Sequence, residues 1–299
     1  MPPALTTCTQ RIAPCSVYHA WIYELTGELR AGPNLKAAGI ERNSICLTEV
    51  RLELFHGFIF VNLDDDAAPM DAWYPGVREE LGEFVPQIDA LRSLEWVKIP
   101  ENCNWKISVE NYSECYHCSI NHPTFATGVI KPETYEIQPQ AEGYVLRHIT
   151  ECQSLEAMTD EIDMSQPHAG DYRSFFLWPM FSFQVYPGNV NTYHWRAEGV
   201  ERCTVWRGWY TPEGWDNEAI RRLALQDRTT TVQEDIRLVE SVQEGMKSRG
   251  FKPGPLVLDP ACGLNSEHSV AKIQQWMRES GRWPSARADA KGDADEHLR

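Results

Sequence analysis

Between residues 104 and 123 the chain places Trp105, Val109, Tyr112 and Tyr116 at spacings of 4, 3 and 4, the period of an amphipathic helix. The same stretch runs on as Glu110-Asn111-Tyr112-Ser113-Glu114-Cys115-Tyr116-His117-Cys118-Ser119-Ile120-Asn121-His122-Pro123. Imidazoles, thiols and acids therefore crowd one helix end. His117 and His122 are five apart, which leaves them about 140° apart around a regular helix. They can share a ligand only if the helix unwinds between them. Pro123 is expected to end the helix, because the residue before a proline is pushed out of the helical region. Glu114 and His117, three apart, are neighbours on one face. The fold must hold this helix end against something that satisfies its polar groups.

Two metal readings and one plainer reading compete. Cys115-x-x-Cys118 with His117 or His122 has the ligand types of a structural zinc site, although no second pair accompanies it. His117 and His122 with a distant carboxylate have the types of the two-histidine, one-carboxylate face that binds iron(II) and leaves positions open for oxygen. The plainer reading is a helix with half-exposed histidines and two buried free cysteines. The candidate carboxylate is Asp235, which shares a stripe with Val239, Val242 and Met246 at spacings of 4, 3 and 4. That stripe should be buried, and a buried carboxylate needs a partner. A metal cation would serve; an arginine such as Arg237, or solvent, is the alternative. Glu234 is the fallback ligand.

Charge and composition narrow the class. The 299 residues carry 28 Lys+Arg against 43 Asp+Glu, a formal charge of −15, which argues against nucleic acid or an anionic membrane as partner. The most apolar run, 52–63, is broken by Glu53, His56 and Gly57, so no membrane span is expected. Residues 1–16 lack the basic start and apolar stretch of a secretory signal, which points to the cytoplasm or an organelle matrix. Nine cysteines, an odd number, then read as reduced thiols or metal ligands rather than a disulfide framework.

Strand-like runs at 17–24, 45–54 and 58–63 indicate a small β-rich unit. It is separated at the charge run 64–69 from a larger one, giving domains 1–66 and 67–280 and a polar, disordered tail at 281–299. The larger unit reads as a short helix at 73–85, a strand at 93–99 and the helix at 104–124. Strands follow at 135–137, 144–149, 175–186, 191–196 and 203–210, with a hairpin turn at Pro187-Gly188-Asn189. A long helix from 216 to 247 is stopped by Gly250 and Pro253. The class is α+β: an antiparallel sheet with one helix before its strands and one long helix after them.

Asn104-Trp105-Lys106, Glu110-Asn111-Tyr112 and Glu114-Cys115-Tyr116-His117-Cys118 with His122-Pro123 resemble the catalytic-domain signature of Rieske-type non-haem iron oxygenases, nearest the choline and carnitine monooxygenases. Glu234-Asp235-Ile236 with the run 239–245 resembles the helix that supplies that family's carboxylate. The likeness extends over about 17–276. It implies a helix-grip (START-like) sheet with a long C-terminal helix, preceded by a partial β-rich Rieske-like domain. It also implies that His117, His122 and Asp235 bind Fe(2+), and that Glu114 bridges to a [2Fe–2S] cluster of the neighbouring subunit in a homotrimer. The implied reaction uses O2 and electrons from a ferredoxin or reductase to hydroxylate a small quaternary amine, as in choline to betaine aldehyde hydrate.

The resemblance departs at the N-terminus. A Rieske cluster takes two cysteines and two histidines, which the family supplies as Cys-x-His and Cys-x-x-His. His19 matches the last of these, but Ser16 stands three before it, and Cys15 is one residue out of register. In Cys8-Thr9-Gln10 a glutamine replaces histidine. The expectation is a chain that begins inside the Rieske domain with an incomplete cluster. A catalytically silent fragment that keeps an iron or ligand-binding domain is the alternative function. Trp178, Phe183, Tyr193, Trp195 and Trp206 are the expected substrate pocket, where aromatic faces would hold a quaternary ammonium. Half of the residues on any strand must face away from it.

Overall fold

The computed structural model describes residues 14–85, 87–138, 142–153, 168–212 and 218–280. Cys8-Thr9-Gln10, residue 216 at the expected start of the long helix, and the tail from Gly281 lie outside the described residues. The chain divides into two compact units, one ending at Pro69 and one starting at Met70. In the first, β1 (Ile22–Tyr23) pairs with β2 (Leu29–Ala31), and β3 (Arg51–Phe55) pairs with β4 (Phe58–Asn62). His56 and Gly57 join β3 to β4, both at positive φ, as a two-residue turn that matches strand twist requires. No helix among the described residues is long and apolar enough to cross a membrane.

The second unit opens with α1 (Met70–Trp73), α2 (Val77–Phe84) and β5 (Leu91–Glu101). Three short helices follow: α3 (Trp105–Tyr112), α4 (Cys118–Asn121) and α5 (Pro123–Gly128). Next come β6 (Glu136–Gln138), β7 (Val145–Glu151), β8 (Asp171–Leu177), β9 (Phe181–Tyr186), β10 (Asn189–Gly199) and β11 (Arg202–Pro212). The unit closes with α6 (Glu218–Thr229), α7 (Thr231–Met246) and α8 (His268–Ser280). The seven strands form one antiparallel sheet in the order β5-β11-β10-β9-β8-β7-β6. β5 and β6 thus lie at opposite edges although only α3–α5 separate them in sequence. The chain between them has to travel the width of the sheet, and that stretch carries His117 and His122.

Several elements depart from the sequence expectation for local reasons. The run 175–186 is two strands, not one, because Pro179 falls between them and offers no N–H to a ladder. The turn after Tyr186 is Pro187-Gly188, with Gly188 at φ 75°, a conformation glycine adopts without steric cost. The helix expected to reach Pro123 stops at Tyr112, and Pro123 instead starts α5, where its missing N–H is not needed. The single long helix is α6 and α7, separated at Thr230 (φ −116°, ψ −87°). The Thr229 and Thr230 hydroxyls donate to the Leu225 and Gln226 carbonyls at 2.8 and 2.7 Å, local bonds that compete with helix continuation. On α7 the buried positions are Val232, Val239 and Gln243, whereas Val242 and Met246 are exposed. The face is set by Gln243, whose side-chain oxygen accepts the Asn104 N–H at 2.8 Å. α8 was not expected; it buries Val270, Ile273 and Trp276 in a cluster with Val109, Trp178 and Trp195.

Phe183 is fully buried and pairs with Phe175 across β8 and β9. Phe183→Ala should lower unfolding free energy by about 3–5 kcal/mol, read from urea denaturation, while leaving ligand affinity of the folded fraction unchanged. A selective loss of ligand affinity with stability intact would instead put this ring in the pocket.

Candidate metal centre

Breaks in helical order bring the ligand-type side chains together. His117 precedes α4, and His122 stands between α4 and α5 at φ −122°, ψ 61°, so the two no longer diverge around one axis. Their Nε2 atoms are 3.0 Å apart. Asp235, near the start of α7, sets Oδ1 3.0 Å from His122 Nε2 and 3.5 Å from His117 Nε2. Adjacent donors on an octahedron with bonds of about 2.1 Å lie roughly 3.0 Å apart. The triangle therefore has the dimensions of one face around one cation.

Each imidazole's other nitrogen is occupied. His117 Nδ1 lies against Glu114 Oε1, and His122 Nδ1 is 2.8 Å from Glu234 Oε2. A carboxylate only accepts, so the protons are assigned to Nδ1 and the lone pairs to Nε2. Two imidazole lone pairs and a carboxylate oxygen then converge, with only the Asn111 amide, 3.4 Å from His117 Nε2, as a neighbouring donor, and a cation would satisfy all three. In its absence a proton takes that place. Burial disfavours charge on His117, yet Asp235 and Glu114 outweigh it and push the pKa up to about 9. His122 is raised against its own burial by Asp235 and Glu234. Burial likewise opposes ionisation of Asp235, but the two histidines hold its carboxyl below the usual range. Glu234, the expected fallback ligand, is the orienting partner of His122. Glu114 also accepts the backbone N–H groups of Tyr116 and His117.

Cys115 and Cys118 are joined in a disulfide. This overturns the zinc reading, because neither thiolate is available, and corrects the expectation of reduced thiols at these two positions. The turn after α3 brings their Cα atoms to 4.9 Å, within the reach of such a bond.

The triad opens on a cavity lined by Tyr112, Phe125, Tyr135, Tyr172, Tyr186 and Tyr193, with Ser174, Gln184 and His148 among its polar groups. Burial raises the pKa of all five of these tyrosines, so their rings are neutral at pH 7. Of the expected pocket residues, Tyr193 lines this cavity and Trp195 lines a smaller one beside it. Trp178, Phe183 and Trp206 line neither, and strand parity explains two of them. Gln184 and Tyr186 face the triad, so Phe183 faces away. Tyr193 pairs with Arg207, so Trp206 is on the opposite face, where Lys98 sits 5.6 Å from its ring. Trp178 lies beyond the end of β8 and is buried in the core.

His148 is hydrogen-bonded through Nδ1 to the Tyr135 hydroxyl (2.8 Å) and through Nε2 to Ser269 Oγ of α8 (2.7 Å). Burial pushes its pKa down to about 4. The unfolded chain takes up this proton near pH 6.5. The stability His148 contributes is therefore fully present above about pH 6.5 and lost as pH falls toward 4, some 3 kcal/mol in all. His148→Gln should flatten the drop in urea midpoint between neutral pH and about pH 4.5. An unchanged drop would show that other groups drive acid unfolding.

Residues 88–281 match the ring hydroxylating alpha subunit (catalytic domain) family. The chain belongs to that family. The carnitine monooxygenase oxygenase subunit of Escherichia coli (strain K12) is 30% identical over 267 residues, covering 87% of this chain and 69% of its own. That of Acinetobacter baumannii is 29% identical over 262 residues, covering 86% and 69%. Chloroplastic choline monooxygenase of Spinacia oleracea is 22% identical over 262 residues, covering 84% and 57%. The structure of the quaternary ammonium Rieske monooxygenase CntA with L-carnitine superimposes with a TM-score of 0.77 at 25% identity, covering 90% of this chain and 72% of CntA.

The chain is thus a Rieske-type monooxygenase, and its larger unit has the Rieske oxygenase catalytic fold. These relatives are enzymes, which gives no support to the alternative of a silent fragment. The family works with non-haem iron and a [2Fe–2S] cluster. In the smaller unit His19 is exposed and Cys15 half-buried. Its other described cysteine and histidine are Cys46 and His56, and no three of these four side chains bring ligand atoms within 4.8 Å of one another. The described residues do not by themselves form a [2Fe–2S] site.

Proposed function

We propose that His117, His122 and Asp235 hold one iron(II) and that the chain hydroxylates the carbon beside the nitrogen of a small quaternary amine such as choline or carnitine. The observation that carries this reading is the set of three acceptor atoms converging, without a proton of their own, at the mouth of a tyrosine-lined cavity. Iron(II) held there would supply the activation of O2 that a monooxygenation needs, with two electrons and two protons delivered to complete it. The residues do the rest. Glu114 and Glu234 fix the tautomer and orientation of the two imidazoles. Electrons from a reduced ferredoxin or reductase would reach the iron through a Rieske cluster, passing by Glu114, in a homotrimer if the Rieske domain is complete. The larger unit is read as a helix-grip domain over 67–280, and residues 1–66 as Rieske-like.

Neutral tyrosine faces in a desolvated pocket favour a quaternary ammonium by about 2 kcal/mol per well-placed ring. The test compares choline, carnitine and dimethylbutanol, the uncharged isostere of choline, by calorimetric titration and by product formation with a reduced ferredoxin. Tyr193 already carries the Arg207 guanidinium over its ring, so Tyr172→Ala, at a ring lining the same cavity, should weaken choline or carnitine binding roughly ten- to thirty-fold and dimethylbutanol much less. Equal losses for charged and uncharged ligands would contradict the aromatic-cage reading. Product from neither amine would contradict the substrate class.

A further inference from the structure

A second cluster of ligand-type side chains lies behind the triad. Glu101 ends β5, Cys103 follows it, and Cys203 stands opposite Glu101 in the ladder between β5 and β11. Cys103 and Cys203 are fully buried, and Glu101 is 6% exposed. The Cys103 and Cys203 thiols lie 3.7 and 3.5 Å from Glu101 Oε2, and one ligand atom from each residue falls within 4.8 Å of the other two. Among the described residues, no ion pair places a Lys or Arg on Glu101. The partners of the buried Glu101 carboxyl are the two thiols and the Ser108 hydroxyl, with no cation among them. Val239 of α7, one turn beyond Asp235, closes the cluster.

We propose that Glu101, Cys103 and Cys203 form a structural metal site for a soft divalent cation, zinc being the natural occupant. Ligand edges of a tetrahedral zinc site with Zn–S near 2.3 Å and Zn–O near 2.0 Å are about 3.5 Å, and the two S···O separations have this length. The fourth position of such a site would be taken by a water molecule. Without a cation Glu101 and Cys203 favour their protonated forms. Burial raises the Glu101 pKa, and the hydrogen bond to Cys103, burial and the Glu101 carboxyl raise that of Cys203. Binding therefore exchanges those protons for the metal. A cation here ties β5 and β11 to the residue before Asn104, the N-cap of α3, beneath the helix that carries Asp235. The site uses none of the triad residues and stands or falls separately from the iron reading.

Metal analysis of the purified full chain, together with Cd2+ titration followed by the ultraviolet cadmium–thiolate absorption, tests the proposal. One zinc or cadmium equivalent per chain is expected. The Cys103→Ser, Cys203→Ser double variant should lose it while keeping iron, and Glu101→Gln should weaken it at least ten-fold with both thiols in place. His117→Ala should show the reverse pattern, with iron lost and zinc kept. If the double serine variant does not fold, the wild-type and Glu101→Gln titrations still decide. No thiolate absorption in the wild type, absorption that survives in the double variant, or a Cys103–Cys203 disulfide found by mass spectrometry would each overturn the site.

Discussion

Asp235→Ala should purify folded, without iron and without turnover. In the native chain the three acceptor atoms stand 3.0 to 3.5 Å apart, and Asp235 is the single anion among them. Removing it leaves two neutral imidazoles, which retain an iron(II) ion far less well than a set containing a carboxylate. Iron content should fall below about a tenth of an equivalent, and turnover with it, as expected when a direct ligand is lost rather than an outer partner worth about 10–100-fold. In the metal-free chain Asp235 pairs with both imidazoles, so the melting temperature of the metal-free variant should fall while the protein still folds. Iron at wild-type content in this variant would remove Asp235 from the ligand set.

Glu114→Gln separates binding from catalysis. A glutamine oxygen still accepts the His117 Nδ1 proton and keeps the ring in place, so iron should remain near one equivalent. The lost charge matters for what passes through that bond. The carboxylate holds His117 against charge build-up, and its second oxygen is fixed by two backbone N–H groups, so an amide at this position is both neutral and poorly matched to them. Turnover should drop by at least about 10²-fold at unchanged KM. Full activity in Glu114→Gln would mean that electrons reach the site by another route. Loss of iron instead would mean that the residue acts through His117 orientation alone.

The residue types of the triad were legible in the spacing of His117, His122 and Asp235, but their convergence was not. It depends on where the helix breaks. Pro123 is the stop signal in the sequence, whereas the chain leaves the helix at Ser113 and re-enters it at Cys118, closed there by a disulfide. Helical periodicity reports which residues share a face only while the helix lasts. Six strand runs were readable because turn residues bound them, but β8 and β9 read as one run although Pro179 parts them. The inward parity of the sheet was not readable, since Phe183 and Gln184 are equally plausible neighbours until pairing with β8 and β10 decides which one looks at the triad. Glu234 and Asp235 differ by one position on α7, and only the packing of Val232 and Val239 sets which carboxylate reaches the shared point. α8 has a readable stripe in Val270, Ile273 and Trp276. It follows a long irregular stretch after Gly250 that gives no sign of a further element.

The most direct measurement is anomalous scattering at the iron edge from crystals of the full chain grown anaerobically with iron(II). The account predicts one peak per chain, about 2.2 Å from His117 Nε2, His122 Nε2 and an Asp235 oxygen. A peak elsewhere, or none at full iron loading, would contradict it.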